Sequence, residues 1–164
     1  IATGILAIIL GFGLWFIYFD VVGRRLPRAD ERSLASWLLS HLPVTLSIAA
    51  AGAGLASLIA QAQAPTTPAT TAWLLAGSVA LGLLALVVTE RALVDADRLR
   101  GVYRPLGLAM AGGAAAAIIV GLARPAPWLL VGLLVAILSV LWFFAVFRFL
   151  GVDAWGDTPR PDDA

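Results

Sequence analysis

Cysteine, lysine and asparagine are absent from this 164-residue chain, and histidine and methionine each occur once. Without cysteine there are no disulfides, no thiolate metal sites and no cysteine nucleophile, and the redox compartment is left undefined. Charge is scarce too: 13% of residues are Asp, Glu, Lys or Arg, against about 25% in an ordinary soluble domain. The eleven basic residues, all arginine, nearly cancel ten acidic ones, for a net charge of +1. No field of one sign is therefore available to attract nucleic acid. Motifs of soluble enzymes are missing as well: there is no GxSxG, HExxH, P-loop or CxxC. Gly52-Ala-Gly54 sits in an apolar run with no preceding strand and carries no dinucleotide signal.

What remains is apolar. The chain is 61% hydrophobic with a mean hydropathy of +0.95, too little polarity to cover a water-facing surface. The bilayer is the natural solvent. Rich use of Ala, Gly, Arg and Pro without Lys or Asn suggests a GC-rich bacterial genome. Ile1 to Phe19 carries no charge, and a bilayer core needs roughly 20 residues of helix. The charged segment Gly23–Arg32, the proline-bearing polar segment Gln61–Thr71, the charged segment Val94–Pro105 and Arg124–Pro127 separate four further apolar stretches. The expected fold is all-α, a polytopic transmembrane helix bundle of about five helices within residues 1–150. The helices fall at about 1–22, 33–60, 72–93, 106–123 and 128–150. Residues 151–164, polar with Pro159 and Pro161 among acidic residues, read as a disordered cytoplasmic tail.

Arginine placement sets a direction. Four arginines follow the first helix, four follow the third, and Arg148 and Arg160 lie toward the C-terminus, so ten of the eleven share one side. Under the positive-inside rule that side is cytoplasmic, in a cell inner (plasma) membrane, with the C-terminus inside. Arg124 alone falls opposite. Trp73 and Trp128 on the outer side, and Tyr18, Trp37, Tyr103 and Trp155 toward the inner side, read as interfacial belts.

Helices in lipid associate through small residues rather than hydrophobic drive. Ala109, Gly113, Ala117 and Gly121 draw an i+4 stripe along helix four, with Ala50/Gly54 and Ser78/Gly82 on helices two and three. Packing inside one bundle is the favoured reading, and a homo-oligomer face the competing one.

The ionisable residues within or beside the spans are Asp20, His41 and Glu90. Such groups are costly in a membrane and tend to face protein or water. Asp20 closes an aromatic run containing Tyr18, and Arg24 stands at i+4 as a structural partner. His41 lies on the order of 10 Å into helix two. Pro43 follows it, removing one helical bond near residue 39. Asp20 and His41 approach one leaflet from consecutive helices, so a carboxylate–imidazole pair is geometrically open. Ser40, Thr45 and Ser47 either add hydroxyls to that site or bond back to carbonyls one turn earlier. Glu90, beside Arg91, reads as a helix-end anchor.

Trp15, Tyr18, Phe19 and Asp20, followed by His41, Leu42, Pro43 and the small-residue stretch Ala49–Gly54, resemble the C-terminal half of the bacterial low-temperature-requirement A family. Leu75–Arg91 and Arg104-Pro105 are similar as well. The resemblance implies a polytopic bacterial inner-membrane protein about twice this length or more, whose first half carries its own acidic-aromatic element, and it supplies no biochemical activity. The chain, starting at Ile1 in apolar sequence, reads as a fragment whose partners are the bilayer and the remaining N-terminal helices of the parent chain.

Three classes of function follow. The leading one is a small-solute or proton-coupled transporter with a polar site at Asp20, His41, Pro43 and Tyr18, since histidine changes charge near neutral pH and broken helices recur at transport sites. The second is a non-transporting membrane scaffold or assembly protein. The third, an intramembrane enzyme, is disfavoured by one histidine and no cysteine. No enzyme activity, cofactor or metal is expected.

Overall fold

The computed structural model describes residues 1–156. They form five long helices: α1 (Ala2–Tyr18), α2 (Glu31–Ala60), α3 (Ala69–Glu90), α4 (Arg100–Ala123) and α5 (Pro127–Gly156). A π-helical turn, Phe19–Gly23, prolongs α1, and a 3-10 turn, Val94–Ala96, precedes α4. No strand occurs among the described residues. All five helices are long and apolar enough to cross a membrane, with spans of 22 to 30 residues. The chain is an all-α transmembrane bundle. Most of the tail expected to be disordered, with Arg160, lies outside the described residues, as does the side chain of Trp155.

Local chemistry explains where the helices begin and end. Asp30 caps α2, its carboxylate accepting from the Ser33 amide at 2.9 Å, so the helix starts at Glu31 rather than Ser33. α4 begins at Arg100, inside the segment expected to be a loop through Pro105. Pro105 cannot donate to the carbonyl of Gly101 one turn back, and the Arg148 guanidinium of α5 donates to that carbonyl instead. The proline is thereby accommodated within the second turn. α5 runs on past residue 150 to Gly156.

The bundle is ordered around α3. Its apolar span is 61% buried, against 28–33% for the other four, and it packs against α2 on one flank and α4 on the other. α5 joins α4 to α1, and α1 meets α2 only lightly. Small residues line the close approaches. A Cβ added at Gly113 would come within 2.7 Å of Leu141 Cδ1, and one at Gly121 within 2.7 Å of Ala76 Cβ. Gly82 lies nearly as tightly against Ser47 (2.8 Å), and Gly54 somewhat less tightly against Leu75 (3.1 Å). The stripe on α4 thus faces α3 and α5 inside this bundle, as membrane helices use small residues to approach. Large side chains such as Leu42, Leu46, Leu108, Ile119 and Phe147 point outward, where lipid would meet them.

The loops pair by side. The α1–α2 and α3–α4 loops dock through Arg28 N to the Ala92 carbonyl (2.9 Å) and Val94 N to the Leu26 carbonyl (3.1 Å). Arg28 adds an ion pair to Asp97 at 2.8 Å and a bond from Nε to the Leu93 carbonyl, and Arg25 faces Asp95 at 3.5 Å. This end is the arginine side of the bundle. At the opposite end Thr67 donates from both N and Oγ1 to the Pro125 carbonyl, and Arg124 Nε donates to the Thr67 carbonyl at 3.2 Å. Arg124, the one arginine that departs from the charge bias, holds two loops together. It takes the left-handed conformation, φ 49°, at the end of α4.

Candidate functional site

Near the arginine side, α1 and its π-turn present Tyr18 and Asp20 to different neighbours. Residues two apart on a helix lie about 200° apart around its axis. Tyr18 accordingly faces α2 and Asp20 faces α5. Trp142 Nε1 of α5 donates to Asp20 Oδ2 at 2.8 Å, and Phe16 packs its ring 6.1 Å from that of Trp142. The Tyr18 hydroxyl meets His41 Nε2 at 3.2 Å. Asp20 and His41 each have a partner, and neither partner is the other. The Arg24 pairing open to Asp20 in the sequence is replaced by the indole contact, since no Arg24 ion pair occurs among the described residues.

His41 is held on both ring nitrogens. Nδ1 lies 2.6 Å from the Trp37 carbonyl one turn earlier, and a carbonyl can only accept, so Nδ1 carries a proton. In neutral imidazole Nε2 then accepts from the Tyr18 hydroxyl. In imidazolium Nε2 donates and the same hydroxyl accepts. Both charge states therefore keep both contacts of the ring without moving a heavy atom. Trp37 covers the imidazole, ring centroids 4.1 Å apart, while Tyr18 meets it edge-on at 6.0 Å. Pro43 stands within α2 just after the histidine, and its ring leaves the carbonyl of Leu39 without the usual helical donor.

The hydroxyls sort as follows. Thr45 Oγ1 bonds back to the His41 carbonyl, Ser47 to Val44 and Ser40 to Trp37. They satisfy their own helix, the second of the alternatives the sequence left open. Ser40 does more: Thr89 Oγ1 of α3 lies 2.8 Å from its hydroxyl and 2.8 Å from the Ala85 carbonyl. A polar layer thus crosses three helices, Tyr18 on α1, His41 and Ser40 on α2, and Thr89 on α3. A void of about 20 Å³ beside Tyr18, Ser47 and Gly82 is large enough for one water.

Glu90 ends elsewhere than the expected anchor position. It is buried, 5% exposed, between α3 and α4, with Oε2 lacking any hydrogen-bond partner. Gly107 makes room for it; a Cβ there would fall 2.6 Å from Oε1. Tyr103 is also turned inward, 4% exposed, so it is not part of an interfacial belt. Tyr18 and Trp37 are half-buried around His41, while Trp73 and Trp128 stand exposed as belt residues do. Sequence reasoning missed Tyr103 and Gly107, whose signal was their place on the helix that follows Glu90. Among the described residues no three His, Asp or Glu side chains gather as metal ligands.

Five apolar spans around a layer of intramembrane polar side chains define a multi-pass membrane protein. The family model for the Bacterial low temperature requirement A protein (LtrA) matches residues 1–141, and the chain belongs to that family. No curated protein and no solved structure matches it significantly.

Proposed function

We propose that this chain forms part of a proton-coupled small-solute transporter, in which the Tyr18–His41 pair takes up and releases the coupling proton. The observation that supports this reading is the bonding of His41. Its two nitrogens are engaged by a fixed acceptor and a reversible hydroxyl, so protonation at Nε2 needs only rotation of the Tyr18 O–H. Histidine is the side chain whose ordinary titration falls in the physiological range, and an ionisable group inside a membrane is a functional candidate by default. Pro43 places a weakened helical turn at the same level. Asp20, tied to Trp142, serves as the fixed carboxylate on the neighbouring face.

The arginine bias supports a cytoplasmic C-terminus and a location in the bacterial inner membrane. The second reading, a non-transporting scaffold, is favoured by the outward glycines Gly52 and Gly112, which meet nothing within 4 Å. Proton flux into proteoliposomes carrying the full-length protein separates the two. Under the transport reading His41→Ala abolishes flux and Asp20→Asn lowers it. Unchanged flux in both variants overturns it, and no flux from the wild-type protein leaves the scaffold.

A further inference from the structure

A cleft of about 580 Å³ opens on the arginine side between α3, the α3–α4 loop and α4. Its depth holds two polar atoms with no partner, Glu90 Oε2 and the Tyr103 hydroxyl, both buried. Its rim carries Arg91, Arg100 and Arg104, all exposed and outside the ion pairs of the described residues. Arg28 also reaches the cleft but is committed to Asp97. Toward the bilayer the wall continues as Leu108, 69% exposed, and Ala111.

Each zone asks for one piece of a ligand. Three guanidiniums on a rim call for a phosphate, which arginine holds with paired N–H donors. A buried carboxylate oxygen without a donor is costly, and calls for an N–H or O–H a few bonds from that phosphate. An apolar wall running onto the lipid face calls for an acyl chain. A glycerophospholipid with an ethanolamine or glycerol headgroup has all three, whereas a choline headgroup lacks the donor.

We propose that this cleft is a phospholipid site, with the phosphate on Arg91, Arg100 and Arg104 and the headgroup donor on Glu90. It is separate from the Tyr18–His41 pair and does not depend on transport. Gly107 fits the same picture, since any side chain there would displace the carboxylate.

Native mass spectrometry of the full-length protein, titrated with ethanolamine, glycerol and choline phospholipids of identical chains, tests the site. Wild type is expected to retain the ethanolamine or glycerol lipid about tenfold better than the choline lipid, a gap of about 1.4 kcal/mol. Glu90→Leu should erase that preference while phosphate binding persists, and Glu90→Gln, which keeps the shape, guards against misfolding by narrowing the preference. Arg100→Ala with Arg104→Ala, both exposed, should weaken all three lipids. Equal retention of the three lipids by wild type, or an unchanged preference in both Glu90 variants, overturns the proposal. Thermal stabilisation by soluble ethanolamine phosphate or glycerol phosphate without any lipid preference overturns it in favour of a soluble phosphate ester.

Discussion

The Trp142 indole donates to the Asp20 carboxylate at 2.8 Å across 122 residues of sequence, joining α1 to α5. An indole nitrogen can only donate, so removal of the acceptor strands it in partly buried surroundings. Asp20→Ala should therefore destabilise the bundle by about 1–3 kcal/mol. Asp20→Asn keeps an oxygen acceptor and should lose less than half of that. Thermal unfolding in detergent measures both, and equal stability of the two variants would show that the bond does not hold the helices together.

The His41 bonding pattern makes a spectroscopic prediction. With Nδ1 facing a carbonyl, neutral His41 must be the Nδ1–H tautomer, and the ¹⁵N shifts of its neutral ring should report that form. Tyr18→Phe removes the Nε2 partner, a loss of about 0.5–1.5 kcal/mol, and should admit the other tautomer or loosen the ring. An Nε2–H tautomer in the wild-type protein would contradict the arrangement.

These two contacts show why part of the site was legible in the sequence and part was not. The spans follow from composition, because a 20-residue apolar run has one stable form in lipid. His41 and Asp20 stand out because ionisable residues are rare there. Their partners do not, since Trp142 is far away in sequence and aromatic residues near an interface ordinarily read as belt residues. Tyr18 faces α2 and Asp20 faces α5 because of helical phase, which matters only once the neighbours are placed. Glu90 looked like an anchor because Arg91 follows it. Its burial depends on Gly107 of α4, and the start of that helix was hidden by Pro105. A proline in the second turn reads as a helix start until Arg148 is seen supplying the donor that Gly101 lacks.

The small-residue contacts differ in how they resist enlargement. At Gly113 a new Cβ meets Leu141 Cδ1, the far end of a flexible side chain, whereas at Gly121 it meets the Cβ of Ala76, fixed to the α3 backbone. Gly121→Ala should thus destabilise by about 1–3 kcal/mol through overpacking, and Gly113→Ala by distinctly less. Gly113→Leu should unfold the bundle rather than selectively release a partner. Gly52→Ala, with open space around it, should be neutral or stabilising by up to about 1 kcal/mol from helix propensity. Melting temperatures in one detergent rank the four, and a Gly121→Ala variant as stable as wild type would contradict the tight α3–α4 approach.

Acid should loosen the start of α2. The Asp30 carboxylate accepts from the Ser33 amide at 2.9 Å, and that bond, reinforced by the Ser33 hydroxyl, holds its pKa below the ordinary 3.8. A carboxylate whose pKa is lowered by folding stabilises the folded state at all pH values above the unfolded pKa. The contribution fades only as pH falls through the lower, folded value. Protection of the Ser33 amide, corrected for the intrinsic exchange rate, should accordingly be constant from neutral pH down to about pH 4, then fall. Asp30→Asn caps without titrating, so its protection should stay level through the same range. Asp30→Ala should leave the amide unprotected at every pH. A wild-type profile that stays flat below pH 4 would show that the helix start is held by something other than this carboxylate.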